Sequence, residues 1–188
     1  PSSRSPTVQG GFLRGRKLDV PTGRVTRPTR GLVRAALFDM LGPDVQGCSV
    51  LDLYSGSGAL GIEALSRGAE RVVFVERDRR VLPVLRGNLE RLGLTEPEAT
   101  LLALDARQVP AGTAGQPFDL VQADPPFAAA ARSLPECLDQ EGVLAADAVL
   151  ALHLPTGGPA PALGPGWIRR REKVHGRSTL AIWERISI

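Results

Sequence analysis

The tetrapeptide Asp124-Pro125-Pro126-Phe127 combines a carboxylate, two residues without backbone N–H donors and an aromatic face. Proline fixes φ and removes a donor, so the segment offers carbonyl acceptors with no competing N–H groups. Such a set fits a planar heterocycle bearing an exocyclic amine. Asp124 and the Pro125 carbonyl accept from the NH2, Phe127 stacks on the ring, and the nitrogen lone pair turns toward an electrophile. The bland alternative is a strand stop followed by an ordinary turn. A second group lies earlier, in the loop from Asp52 to Gly61, which carries Gly56-x-Gly58-x-x-Gly61. Glycines let a ligand approach the backbone closely, and the N-terminus of a following helix presents unpaired N–H groups. Glu76 stands twenty positions after Gly56, the placing of an acid that accepts hydrogen bonds from ribose hydroxyls. The pattern predicts a nucleoside cofactor and, taken alone, leaves hydride transfer and methyl transfer both open.

Those residues need strand ends to hold them. Apolar runs predict strands at Val50 to Leu53, Arg71 to Val75, Ala99 to Leu104, Phe118 to Ala123 and Ala148 to Leu154. Helical spacing predicts helices from Gly31 to Leu41, Ala59 to Arg67, Arg79 to Leu92 and about Ala129 to Gln140. Short, mostly apolar strands alternating with helices imply a parallel sheet covered on both faces. The strand ends then deliver the glycine loop, Glu76, Asp105 and Asp124 to one crevice, where ligands of such sheets bind. Trp167 to Val174 and Ser178 to Ile186 flank His175-Gly176-Arg177 and read as a closing β-hairpin, an uncommon ending for a dinucleotide dehydrogenase. Ahead of the core, Pro1 to Pro6 reads as a disordered tail, Val8 to Val20 as a basic hairpin and Thr22 to Thr29 as a linker.

Composition narrows the class. The chain has 188 residues, 43% hydrophobic and 23% charged, the profile of one globular domain, here with a small extension at residues 1–43 ahead of the core at 44–188. No apolar run is long enough to span a membrane and no signal-peptide core is evident, so a cytoplasmic protein is expected. Cys48 and Cys137 lie 88 residues apart with no Cys or His neighbours, so no metal site is expected. His153, near a strand end, and His175, in a turn, have no identifiable partners and read as non-catalytic. Net charge is +3, but residues 1–34 carry +7, residues 169–188 carry +4 and the middle carries −8. Positive termini suit a polyanion, because neutralising phosphates releases counterions; solvated charge is the alternative.

The combined motifs resemble class I S-adenosylmethionine-dependent amino-methyltransferases. Gly15-Arg16-Lys17-Leu18, Arg27-Pro28-Thr29, Val33-Arg34 with Leu37-Phe38, Ser55 through Gly68, and Arg171-Glu172-Lys173-Val174 resemble, more narrowly, the RsmD-type bacterial 16S ribosomal RNA guanine-N2 methyltransferases. The resemblance spans about Gly10 to Arg185. It implies a Rossmann-like α/β fold whose mostly parallel sheet ends in an antiparallel hairpin, with a small basic N-terminal hairpin and helix. It implies S-adenosyl-L-methionine as cofactor, held by Tyr54, Gly56, Ser57, Gly58, Gly61, Glu76, Arg77, Asp105 and Ala106. Asp124, Pro125, Pro126 and Phe127 become the catalytic pocket. Arg14, Arg16, Lys17, Arg24 and Arg27 become RNA contacts, to 16S rRNA within a 30S subunit or assembly intermediate, for a monomer without metal. Arg27 and Thr29 have cofactor cover as their alternative role. The chain departs from the family pattern at Arg30-Gly31, at Ala35, where the family has Glu, and at His153-Leu154-Pro155, where an acid is common. Asp rather than Asn at position 124 favours guanine N2 over the N6-adenine and glutamine methyltransferases. A nicotinamide oxidoreductase and a non-catalytic RNA-binding factor remain the other classes.

Overall fold

The computed structural model describes residues 5–21, 31–110, 112–113, 115–125, 138, 142–158, 161 and 163–186. Seven strands form one sheet in the order β3-β2-β1-β4-β5-β7-β6. These are β1 (Ser49–Leu53), β2 (Arg71–Val75), β3 (Ala99–Leu102), β4 (Phe118–Ala123), β5 (Leu144–Pro155), β6 (Trp167–His175) and β7 (Ser178–Arg185). The first five are parallel neighbours, while β7 runs antiparallel between β5 and β6. Every residue of β1 is buried, as a central parallel strand covered on both faces requires. Helices α1 (Gly31–Leu41), α2 (Ala59–Ser66) and α3 (Leu82–Leu92) complete the described elements, with 3₁₀ turns at Gly42–Val45 and Ala106–Gln108.

Two hydrophobic clusters cover the two faces, because side chains alternate along each strand. Val50, Val72, Phe74, Leu120 and Ala151 pack against α1, α2, α3 and the N-terminal residues Val8, Leu13 and Leu18. Leu51, Leu53, Val73, Val121 and Leu152 form the opposite cluster, which includes Phe118 and Trp183. The segments on either side of residue 43 therefore share one core.

A buried ion pair fastens that arrangement. Arg34 of α1 and Glu63 of α2 lie 3.2 Å apart with both side chains inaccessible. Glu63 also accepts from the Gln9 backbone N–H at 2.8 Å and from Arg67 at 2.9 Å, while Arg34 donates to the Thr7 carbonyl. Removing one partner of such a pair leaves an uncompensated buried charge and costs about 3–5 kcal/mol. The basic hairpin is real but short: Thr7 bridges Lys17 across a turn containing Gly11 and Gly15, both at positive φ.

Element limits shift in instructive places. Helix α3 starts at Leu82 rather than Arg79, since Asp78 carbonyls and a turn at Val81 precede Pro83 in the first helical turn. Strand β3 ends two residues early, at Leu102. Strand β5 starts at Leu144, four residues before the expected start, because the ladder to β4 slips between Phe118 and Leu120 and interrupts the apolar pattern. Pro6, assigned to a disordered tail, accepts a bond from the Leu18 N–H at 2.8 Å. The linker Thr22 to Thr29 and the helix from Ala129 to Gln140 fall outside the described residues, Leu138 excepted.

Candidate active site

Strand order reverses between β1 and β4, and the segments leaving both strands meet there. On the β1 side the chain turns through Tyr54 at φ 59°, Gly56 at φ 56° and Gly58 at φ 83°. Ser55 fixes the loop: its hydroxyl donates to the Asp52 carbonyl at 2.7 Å and accepts from the Val75 N–H at 2.9 Å. Glu76 lies under the glycines. Its Oε2 accepts from the Gly56 N–H at 2.9 Å and its Oε1 from the Asp78 N–H at 2.8 Å. The expected loop-to-acid pairing is thus a direct contact.

The three motif glycines answer to different needs. Gly56 has open space around an added Cβ and is required by its left-handed backbone. A Cβ on Gly58 would stand 2.4 Å from Leu85 Cδ1, and one on Gly61 would stand 2.3 Å from Phe74 Cε1. Gly61 is therefore a packing glycine that lets α2 settle on the sheet.

Asp105 caps the 3₁₀ turn that begins with buried Ala106. Its Oδ1 accepts from the backbone N–H and Nε of Arg107 at 3.0 and 2.9 Å. Its Oδ2 accepts from Arg107 Nη2 at 3.0 Å and Arg77 Nη1 at 2.8 Å. Hydrogen bonds from Arg107, then Arg77, hold this carboxyl well below the usual carboxylate range. Four donors occupy all the acceptor positions a carboxylate has.

On the other side of the switch point, Asp124 and buried Pro125 follow β4. Asp124 Oδ1 lies 2.7 Å from His153 Nδ1, and His153 Nε2 lies 2.8 Å from Ser178 Oγ. His153, whose partners the sequence does not identify, is a buried link between β4, β5 and β7. Its partners are 29 and 25 residues away, which local sequence patterns do not reveal. His175 is the last residue of β6, beside the hairpin turn.

Beneath both sides sit two inaccessible polar residues in register on β1 and β4, Asp52 and Gln122. Asp52 Oδ2 accepts from the Gly61 N–H at 3.1 Å. Asp52 Oδ1 and both side-chain amide atoms of Gln122 are buried with no hydrogen-bond partner among the described residues. Burial pushes the Asp52 carboxyl up to about 8 against the Gly61 hydrogen bond, and the neighbouring Asp124 charge pushes the same way. Burial thus favours the protonated form of Asp52.

Arg14, Arg16 and Lys17 are exposed on the N-terminal hairpin, as is Phe12. The chain leaving that hairpin runs to the glycine loop through Asn88, which sequence reasoning passed over as a helix-face polar residue. Asn88 Oδ1 accepts from the Asp19 N–H at 2.8 Å, and its Nδ2 donates to the Asp19 and Ser57 carbonyls at 3.0 and 2.9 Å. Arg24, Arg27, Pro126 and Phe127 fall outside the described residues. Among the described residues no helix is long and apolar enough to cross a membrane, and no group of three or more His, Cys, Asp or Glu is placed to hold a metal.

Known proteins are similar to this chain along most of its length. The family model described as Conserved hypothetical protein 95 matches residues 7–184. The chain is 37% identical to ribosomal RNA small subunit methyltransferase D of Escherichia coli (strain K12), over 95% of this chain and 89% of that one. It is 32% identical to the Bacillus subtilis (strain 168) protein YlbH, over 95% and 98% of the two chains. The solved structure of Escherichia coli yhhF superposes with a TM-score of 0.83 at 31% identity, over 98% of this chain and 99% of that one. The chain belongs to this family, that of ribosomal RNA small subunit methyltransferase D.

Proposed function

We propose that this protein transfers a methyl group from S-adenosylmethionine to the exocyclic N2 amine of a guanine in small-subunit (16S) ribosomal RNA. The observation that carries the reading is the pairing of Leu53 with Ala123, from which the loop bearing the Gly56–Glu76 contact and Asp124 leave adjacent strands at the β1/β4 switch point, in a chain of this family.

The residues present fit the cofactor. The left-handed backbone at Gly56 and Gly58 leaves the loop open to a close approach, and Glu76 keeps its carboxylate under that loop. Gly56, Ser57 and Gly58 face the methionine and ribose end, with Tyr54 at the turn and Gly61 holding the helix behind them. Glu76 takes the ribose hydroxyls. Asp105 takes the adenine amine with the Ala106 backbone alongside, once a guanidinium of Arg77 or Arg107 gives way to it. S-adenosylmethionine supplies a methyl on a positively charged sulfur, already a strong electrophile. What remains for the chain is proximity and alignment. Asp124 and the Pro125 carbonyl accept from the guanine amine and direct its lone pair, so Asp124 serves as an acceptor rather than a strong base. Phe127 is the residue type to stack on the guanine ring, the role the resemblance implies for it. A guanine must leave its helix to enter, so the target lies in a loop or flips out.

Arg14, Arg16 and Lys17, with Arg24 and Arg27 following, grip the RNA backbone of a 30S subunit or assembly intermediate in the cytoplasm, with one copy of the chain acting alone. Reversing the charge of Arg14, Arg16 and Lys17 together lowers the slope of log affinity against log salt by about 2. Cofactor affinity stays in place, and an unchanged slope removes the hairpin from the RNA contact.

Asp124→Ala tests the site. Labelled-methyl transfer to undermodified 30S particles should fall by about 1000-fold or more. S-adenosylhomocysteine affinity should stay within a few-fold. Retained transfer sinks the assignment of Asp124, and label recovered in N6-methyladenosine overturns the choice of guanine.

A further inference from the structure

The departure from the family pattern at the end of β5 stands on the catalytic carboxylate itself. His153 is buried, with its two ring nitrogens facing Asp124 Oδ1 at 2.7 Å and Ser178 Oγ at 2.8 Å. A neutral imidazole has one donor and one acceptor nitrogen, so the two contacts must take opposite roles. A hydroxyl is able to donate or accept, whereas an ionised carboxylate only accepts. With Asp124 as the ionised acceptor of the proposed function, the proton between the two lies on Nδ1. The Ser178 hydroxyl then donates to Nε2. The chain of bonds Ser178 O–H to His153 Nε2, and Nδ1–H to Asp124 Oδ1, is complete with no leftover donor.

We propose that His153 is a positioning residue for methyl transfer: its Nδ1–H fixes the rotamer and the ionised, acceptor-only state of Asp124, with Ser178 selecting the tautomer. The inference rests on the reading that Asp124 accepts from the guanine amine. Two observations argue that the carboxylate needs such a partner. Asp124 follows Ala123, the partner of Leu53, and its charge adds to the burial that pushes the Asp52 carboxyl up. Asp124 also follows the last residue of β4, where no further backbone ladder constrains it. His153, in contrast, sits inside a ladder, paired with Leu180 of β7, and its ring is held at both nitrogens. Rigid support therefore reaches the end of β4 from β5 and β7.

Amide side chains separate this role from mere packing. Asn at position 153 places its NH2 near the Nδ1 position and keeps a donor toward Asp124. Gln places its amide near Nε2, toward Ser178. With 30S particles and S-adenosylmethionine both saturating, His153→Asn should keep kcat within about 5-fold of the parent. His153→Gln and His153→Leu should lose about 10- to 100-fold in kcat with little change in either KM, the scale expected of a misaligned reacting group. S-adenosylhomocysteine affinity should be unchanged in all three. Parent-like kcat in the Gln and Leu variants overturns the proposal, as does equal loss in the Asn and Gln variants. If the Leu variant does not fold, the Asn-against-Gln comparison decides alone. Asp124→Ala run in parallel separates the two levels of inference. A dead Asp124→Ala with a parent-like His153→Gln refutes only the role of His153, whereas an active Asp124→Ala refutes the functional reading beneath it.

Discussion

The two halves of the crevice are built on different principles. At the β1–β3 ends, Glu76 is held by the backbone N–H groups of Gly56 and Asp78, and Asp105 by Arg107 two residues on, its backbone N–H included, and by the exposed Arg77 side chain. At the β4–β5–β7 ends, Asp124 takes part in a side-chain relay that crosses three strands. The first half is shaped by local turns, and its ligand contacts do not depend on distant packing. The second depends on the register of the β5–β7 ladder, so small errors there reach the reacting amine. A donor site made of backbone tolerates change around it, and an acceptor site made of side chains does not.

The sharpest separation of the halves comes from Glu76→Ala. It removes the ribose acceptor and leaves the Gly56 N–H without its carboxylate partner. Cofactor affinity should fall about 100-fold, equivalent to about 2.7 kcal/mol. Transfer at saturating cofactor should stay within a few-fold, the reverse of the pattern expected for Asp124→Ala. Isothermal titration with S-adenosylhomocysteine and single-turnover transfer measure the two sides independently. A large loss of single-turnover rate at saturation shows that Glu76 also governs alignment, and the division between halves fails.

The same division decides what the sequence discloses. The glycine loop and Glu76 are separated by one βαβ unit, and that unit's geometry is set by patterns a reader is able to see, so their contact was foreseeable. The β2 and β4 limits, and that of β1 to within one residue, followed from mostly apolar runs. Strand β5 was shortened because its first residues, Leu144 to Asp147, lie across a slip in the ladder and are partly exposed. His153 gave no signal, since Asp124 and Ser178 reach it only through the sheet. Asn88 looked like any polar residue on an amphipathic helix until the returning N-terminal chain supplied its partners. Asp52 is hidden for the opposite reason: it is a charged residue type in an apolar strand, and only its burial shows that its carboxyl is pushed up.

Asp52 also joins the halves, through the Gly61 hydrogen bond on one side and the Asp124 charge on the other. Its folded pKa of about 8 stands above the ordinary 3.8, so the folded chain keeps a proton that the unfolded chain releases between those values. Stability should therefore decline as pH rises from about 4 to about 8 and level off above. Asn at this position is neutral throughout, can still accept from Gly61, and offers its NH2 to the unpartnered Gln122 oxygen. Asp52→Asn should match the parent near pH 5 and exceed it by about 4 kcal/mol at pH 8, read from urea unfolding at each pH. A parallel offset at both pH values means that Asp52 is already ionised and that the halves are not coupled through it.

The smallest expected effect probes how a ligand enters the β1–β3 half. Asp105 spends all four acceptor positions on Arg77 and Arg107. An adenine amine must take one of them, and the Arg77 contact is the one to yield. Arg77 is largely exposed, and an exposed ion pair contributes about 1 kcal/mol or less. Arg107 is tied to Asp105 by three bonds, including its own backbone N–H, and stays. Arg77→Ala should then tighten S-adenosylhomocysteine binding by up to about 5-fold at low salt, with the gain shrinking as salt screens the pair in the parent. Weaker binding in the variant instead places the Arg77 guanidinium on the cofactor itself, and makes the donor half as dependent on side chains as the acceptor half.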